Sequence, residues 1–589
     1  MKITLLIQIF IITLIACNNN PKSYDWELSY EKSGYKQTST YEEAVNFCKQ
    51  LDEYSNSASY IPFGKSGQGF DLPMLIIDKN GYSTPEEIKK SGNIILLIEA
   101  NIHPGEPEGL DAGFLLIKDI IVNKTLEHLL DNVSILFIPS FNVDGHRRFI
   151  KYSRINQNGP EMAGWRTTAR NLNLNRDFLK ADAIEMQYWL KMFQQWLPDF
   201  FIDCHTTDGA DYQYAITYGL EIHGNMDKDL TDWQKNVYLK TVSEMMDKSG
   251  LPVFPYVSFR KWHDPRSGLR AWVARPMLSE GYTAIQNRPG LLIETHMLKD
   301  YKTRVDATYF MLKHSLEILN KEKNNLKTLN LQADERVSAP YFRDSLFHLD
   351  FKTGKDCTMV NFKGIDYNVV ESDLTGGLWY QYGDEKKDFL LPYFCNLKPV
   401  KSVKLPDYYI IPPEWYELIQ KLEMHGIKYT TLKNDTTIVV NSYKFSNVKF
   451  SNEPYEGHQT VQSFDMEEIS EERLYPSSSV LVDMNQRTAR VIAHILEPDA
   501  PDSYLKWGYF NAIFEQKEYA ETYVMEKLAR EMIAKNPKLY DEFILWKLEN
   551  PEYENNQWIL LNWFYQKSPY WDNRKDVYPV GRIFINDNQ

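Results

Sequence analysis

His103 and Glu106 stand three residues apart in Asn101-Ile102-His103-Pro104-Gly105-Glu106-Pro107, an imidazole and a carboxylate able to face one metal ion from a single turn. A catalytic zinc takes three protein ligands from His, Asp and Glu and leaves a fourth position for water. In a chain with 12 His and 80 Asp plus Glu, the pair alone carries little weight. A second imidazole, His205, follows the apolar run Phe200-Phe201-Ile202 in Asp203-Cys204-His205-Thr206-Thr207-Asp208. Glu294 closes Leu291-Leu292-Ile293, and a carboxylate at the end of an apolar run is costly unless it has a metal, a partner or a task. Between them, Arg166 and Arg176 bracket the alternating run Asn171-Leu172-Asn173-Leu174-Asn175. Arginine presents a fixed fork of donors that suits carboxylates and developing oxyanions.

These side chains need a scaffold that brings distant segments together. Residues 93–100, 133–139, 200–204 and 290–294 are apolar runs of strand length, and 109–121, 184–196 and 307–320 have helical spacing. Residues 41–51 also read as a helix, with Thr40 as its N-cap. Asn142-Val143-Asp144-Gly145 is a strong turn signal. Strands alternating with helices predict an α/β domain with a mixed, largely buried sheet flanked by helices. Ligand sites in such sheets gather beyond the carboxyl ends of the strands. His103, Asn142, His205 and Glu294 all fall at or just after such ends.

In this order the motifs resemble the zinc metallocarboxypeptidase family of the carboxypeptidase A type, over roughly residues 60–330. The order runs His-x-x-Glu, Asn-x-Asp-Gly, an arginine, Asn-Arg, a strand-end His, then Glu. The resemblance implies one zinc ion per catalytic domain, held by His103, Glu106 and His205. It implies Glu294 as general base and acid, and Arg166 as the group that polarises the scissile carbonyl. Asn175 and Arg176 would hold the free C-terminal carboxylate of a peptide substrate, whose last peptide bond is hydrolysed. Tyr282, in Ser279-Glu280-Gly281-Tyr282, is the candidate for the family's substrate-contacting tyrosine, with Tyr212 and Tyr214 as competitors. Two positions depart from the pattern: Val143 replaces a common Pro, and Asn173 replaces a common Asp that orients the first zinc histidine. An amide oxygen accepts the same ring N–H without charge. Family specificity resides in the pocket floor between His205 and Glu294, where 259–264 is a candidate contributor. Glu108 reads as a structural acid near the metal.

At 589 residues the chain is expected to hold two or three domains. Lys2 precedes an apolar run over 3–16 that ends in Leu14-Ile15-Ala16-Cys17, which looks like a bacterial lipobox with Cys17 as the lipidated residue. Residues 1–17 are therefore read as a lipoprotein signal peptide. Residues 18–59 follow as a tether and N-terminal helical segment, 60–335 as the catalytic domain and 336–589 as an accessory region. That region is β-rich and then, from about 503, helical, and it carries no chemical motif. The expected location is the cell envelope, at the periplasm or cell surface, with the membrane reached through a lipid anchor. A net charge of −14 lacks the basic footprint of a nucleic-acid binder. Competing readings are a zinc N-acyl amino-acid deacylase, a peptidoglycan stem-peptide carboxypeptidase, and a peptide- or glycan-capturing lipoprotein on an inactive scaffold. The complete residue set argues against the last.

Overall fold

The structure, a computed structural model, describes residues 24–585. Cys17, the signal segment and the start of the tether lie outside the described residues.

The central sheet has eight strands in the spatial order Ala58–Tyr60, Leu75–Ile77, Val133–Ile138, Ile94–Glu99, Phe200–Thr207, Gly290–His296, Ile216–Gly219 and Val253–Pro255. The middle four run parallel. Leu75–Ile77 and Ile216–Gly219 join them antiparallel on either side, so the sheet is mixed as expected. Every residue of the four parallel strands is buried. Burial on both faces is why these strands read as continuous apolar runs rather than alternating ones.

Period-two alternation still sorts the side chains by face. Leu96, Ile98 and Ile202 pack with helices Glu108–Ile121 and Tyr301–Ser338, whereas Ile95, Leu97 and Phe201 pack with helix Ile184–Trp196. The cores run across positions 60 and 335. Helix Tyr41–Tyr54, closed by a Thr40/Glu43 capping box, buries Phe47, Cys48 and Leu51 in the first core, and Ala58–Tyr60 is the sheet's edge strand. Helix Tyr301–Ser338 runs through position 335.

The second core continues into the C-terminal region, where Leu405, Tyr409, Ile411, Val480, Val482, Ile492, Tyr504 and Tyr578 pack against it. That region holds a six-stranded sheet, in which the hairpin of Thr436–Phe450 and Val461–Tyr475 is longer than the short segments expected. Helices Thr522–Lys535, Lys538–Glu549 and Gln557–Tyr565 share a small core of their own.

Candidate active site

Three neighbouring parallel strands end together. Glu99 is the register partner of Asp203, and His205 is the register partner of Glu294. Strands about 4.8 Å apart therefore deliver His205 and Glu294 side by side, with His103 just past the end of the third. The chain leaves that strand through Asn101, which holds φ 57°. The Glu106 N–H then donates to the His103 carbonyl at 2.8 Å, closing the turn that turns both side chains the same way. The following helix starts at Glu108, whose carboxylate accepts from Arg304 Nε at 2.8 Å and Thr206 Oγ1 at 2.6 Å. Both oxygens are thus engaged in pinning the turn, as expected of a structural acid. Next to it, a Cβ on Gly109 would meet Cys204 Cβ at 2.3 Å, so only glycine lets the helix approach the strand.

His103, Glu106 and His205 form a buried cluster whose ligand atoms all lie within 4.8 Å of one another. His205 Nδ1 is 3.1 Å from Glu106 Oε2, and His103 Nδ1 is 3.3 Å from Glu106 Oε1. The opposite ring nitrogens are tied: His103 Nε2 to Asn173 Oδ1 at 2.8 Å and His205 Nε2 to Asp203 Oδ2 at 2.7 Å. Amide and carboxylate oxygens only accept, so each Nε2 carries a proton and each Nδ1 faces the shared carboxylate. This donor set fits a divalent zinc with an open position: two imidazoles, one carboxylate, and ring orientations fixed from behind.

The charges are consistent with a cation site. Burial lowers the His103 pKa to about 4, with Glu106 opposing. Burial alone would raise Glu106, but His103 and Arg154 override it and hold the carboxyl well below the usual range. His205 behaves oppositely: burial disfavours its charge, yet Asp203 and Glu106 on either side hold its pKa well above the ordinary value. A metal at Nδ1 competes with that proton.

Glu294 is 8% exposed. Burial pushes its carboxyl up to about 8, with His205 opposing and Glu106 adding to the rise. A cation at the cluster pulls the same group down. It shares a cavity of about 240 Å³ with the cluster, Arg154, Arg166, Asn175, Arg176, Tyr256, Trp272 and Glu280.

The turn at Asn142 positions the arginines. Its side chain accepts from the Gly145 N–H at 3.0 Å and donates to the Arg166 carbonyl at 3.1 Å. A Cβ on Gly145 would meet the Trp165 carbonyl oxygen at 2.5 Å, so the two loops interlock only with glycine there. Arg166 Nη1 reaches Glu106 Oε1 at 3.0 Å. Asn175 lies between His205 Nε2, at 3.4 Å, and the Ser279 N–H, which donates to Asn175 Oδ1 at 3.1 Å. Arg176 Nε donates to Tyr455 Oη at 3.2 Å.

The structure therefore brings His103, Glu106, His205, Glu294, Arg166, Asn175 and Arg176 into one cavity and leaves Tyr282 out of it. Tyr282 is fully buried on helix Ser279–Ile285, bonded to His425 Nδ1 at 2.8 Å and Gln286 Nε2 at 2.7 Å. Residues two apart on a helix point about 200° apart, so presenting Glu280 to the cavity turns Tyr282 into the core. Tyr212 is also buried, within an aromatic cluster with Tyr214. The tyrosine in the cavity is Tyr256, edge-to-face with Trp272 at 5.3 Å. The 259–264 stretch does not line the cavity; Trp262 at its tip is 66% exposed.

Sequence reasoning also missed Arg154, Asp203 and the loop at 455–458. Asp203 had a signal, since it lies two residues from His205 on the same strand face. Arg154, whose Nη2 is 3.0 Å from Glu106 Oε1, had none.

Residues 44–218 match the family model described as zinc carboxypeptidase. That segment holds the three-residue cluster, Arg166, Asn175 and Arg176, and Glu294 lies beyond it. Carboxypeptidase 2 of Trichophyton rubrum is 22% identical over 475 residues, covering 78% of this chain and 82% of its own length. Carboxypeptidase 2 of Trichophyton tonsurans is 22% identical over 461 residues, covering 75% and 79%. Among solved structures, a metallo-carboxypeptidase from Burkholderia cenocepacia aligns over 48% of this chain and 69% of its own, at 16% identity and a TM-score of 0.36. Carboxypeptidase A from Helicoverpa armigera aligns over 50% and 73%, at 14% identity and a TM-score of 0.36.

Proposed function

We propose that the chain is a metallocarboxypeptidase that removes single residues from the C-termini of peptides bearing a free carboxylate, a reading supported by the zinc carboxypeptidase model over residues 44–218 and by the carboxypeptidase relatives. The observation that carries this reading is the side-by-side placement of Glu294 and His205 above a cavity that also holds three arginines, Arg154, Arg166 and Arg176. His103, Glu106 and His205 would hold a zinc ion, and the chemistry that ion would supply when bound is that of a Lewis acid toward water and a carbonyl.

The protein's own groups do the rest. Asn175 and Arg176 bind the terminal carboxylate and so fix which peptide bond is presented. Glu294 accepts the proton of the attacking water and returns it to the leaving amine; its burial makes it a stronger base than an exposed glutamate. Arg166 stabilises the oxyanion that develops on the scissile carbonyl, and one such donor is typically worth about 2.7–4 kcal/mol. In this reading Asp203 and Asn173 act through the histidines they hold, as positioning residues.

A defined peptide library incubated with zinc-restored protein tests the reaction. Stepwise loss of C-terminal residues by mass spectrometry is expected, with amidated peptides left intact. Internal cleavage, or release of N-acyl groups, contradicts it.

We also propose that the protein is exported and anchored by a lipid on Cys17, from the motif Leu14-Ile15-Ala16-Cys17.

A further inference from the structure

Glu280 is an acid in the catalytic cavity to which the reaction gives no task. It is 4% exposed. Its Oε2 accepts a long hydrogen bond from Ser279 Oγ at 3.4 Å. Burial raises its carboxyl to about 7, with Asp203 and Glu221 adding to the rise and His205 opposing it. No Lys or Arg forms an ion pair with it among the described residues. Of the other buried acids of the region, Glu294 has the catalytic task, and Glu106 is answered by Arg154 and Arg166, Glu108 by Arg304, and Glu221 by four backbone N–H groups.

Part of the wall near Glu280 is apolar and aromatic. Tyr256, Trp272, Leu278 and Leu292 line the same cavity. Tyr256, Trp272 and Glu280 also border an adjoining small chamber of about 50 Å³, so the acid stands where the two spaces meet. Asn175 and Arg176, which would hold a terminal carboxylate, line the same cavity. The space thus combines polar and cationic groups for an anionic chain end with a stretch of aromatic and aliphatic wall and an acid that no Lys or Arg answers.

Burying a carboxylate without a partner costs free energy that an apolar or amide residue would avoid. A long cationic side chain removes that cost. Its methylenes lie against aromatic and aliphatic walls, and its terminal charge meets the acid. We infer that Glu280 is a specificity-determining residue that selects peptides whose C-terminal residue carries a cationic side chain of the lysine or arginine kind. The inference rests on the proposed carboxypeptidase reading and adds to it which residue is removed.

Norleucine is lysine without the amine, and it isolates the charge. Zinc-loaded protein carrying Glu294→Gln is titrated calorimetrically with an N-acyl dipeptide ending in lysine and with its norleucine counterpart. Wild-type protein is assayed for release of the same two residues. The lysine peptide is expected to bind and to be turned over at least roughly tenfold better, the scale of a hydrogen bond between charged groups. Adding Glu280→Gln is expected to collapse that ratio toward one. Equal or reversed preference in the unaltered pocket overturns the role of Glu280 while leaving the carboxypeptidase reading intact. Release of neither residue from any peptide removes both. The wild-type ratio decides the matter even if the Glu280→Gln protein fails to fold.

Discussion

Tyr455 and Arg176 lie 279 positions apart in the chain, and the Tyr455 hydroxyl accepts the Arg176 Nε–H at 3.2 Å. Beside it, the Glu456 carboxylate accepts the Asn173 backbone N–H at 2.8 Å, and Asn173 Oδ1 in turn holds His103. Tyr455 stacks on Trp507 at 5.9 Å and 9°. The loop between Thr436–Phe450 and Val461–Tyr475 therefore reaches into the catalytic cavity's wall. Pre-setting an arginine's fork reduces the ordering cost of binding a carboxylate. Tyr455→Phe is expected to raise KM for free-carboxylate peptides about three- to tenfold, the scale of one hydrogen bond, with little change in kcat. Steady-state kinetics check it; a fall in kcat at constant KM contradicts a positioning role.

Arg176 itself is expected to matter in proportion to the charge it meets. Arg176→Ala should reduce kcat/KM for free-carboxylate peptides roughly 10- to 100-fold, as for a lost hydrogen bond between charged groups. Residual cleavage of C-terminally amidated peptides should barely change. Equal losses on both substrate kinds would remove the clamp.

The C-terminal region is tied to the catalytic domain through Asp182, which pairs with Lys180 at 3.1 Å, Lys421 at 2.8 Å and His458 at 2.7 Å. Burial would raise the Asp182 pKa, but His458, Lys180 and Lys421 override it and hold it far below the ordinary value. A carboxyl with a depressed folded-state pKa stabilises above its unfolded pKa of about 3.9, and that stability is lost as pH falls toward the folded value. Asp182→Asn is therefore expected to lower Tm at neutral pH, with the gap to wild type narrowing below about pH 4. Thermal denaturation across pH reads this directly; a gap constant down to low pH would show that Asp182 acts only through packing.

Cys17→Ser is expected to leave the protein unlipidated and to move it from the membrane to the soluble fraction. Fractionation with mass spectrometry of the mature N-terminus checks it, and an unchanged distribution rejects the lipid anchor.

The catalytic sheet was legible in the sequence because its parallel strands are buried on both faces, which leaves unbroken apolar runs such as 94–98 and 133–138. Polar residues at the ends of those runs marked the cavity, and chain order linked them. What was not legible depends on contacts between distant segments. Tyr455 and Arg176 share no local pattern. Tyr282 and Glu280 sit two residues apart, and sequence alone could not say which of the two faces the cavity. Composition changes near 60 and 335, but the hydrophobic cores run across both positions.

The central claim is that Glu294 moves the proton. Glu294→Gln removes that capacity while preserving shape and leaving His103, Glu106 and His205 in place. Metal analysis and release of C-terminal residues should be measured on the same preparation. The expected result is zinc content equal to wild type with release reduced about 10²- to 10⁴-fold, the usual range for loss of a general base. Release near the wild-type rate, with zinc bound, would contradict the assignment of Glu294.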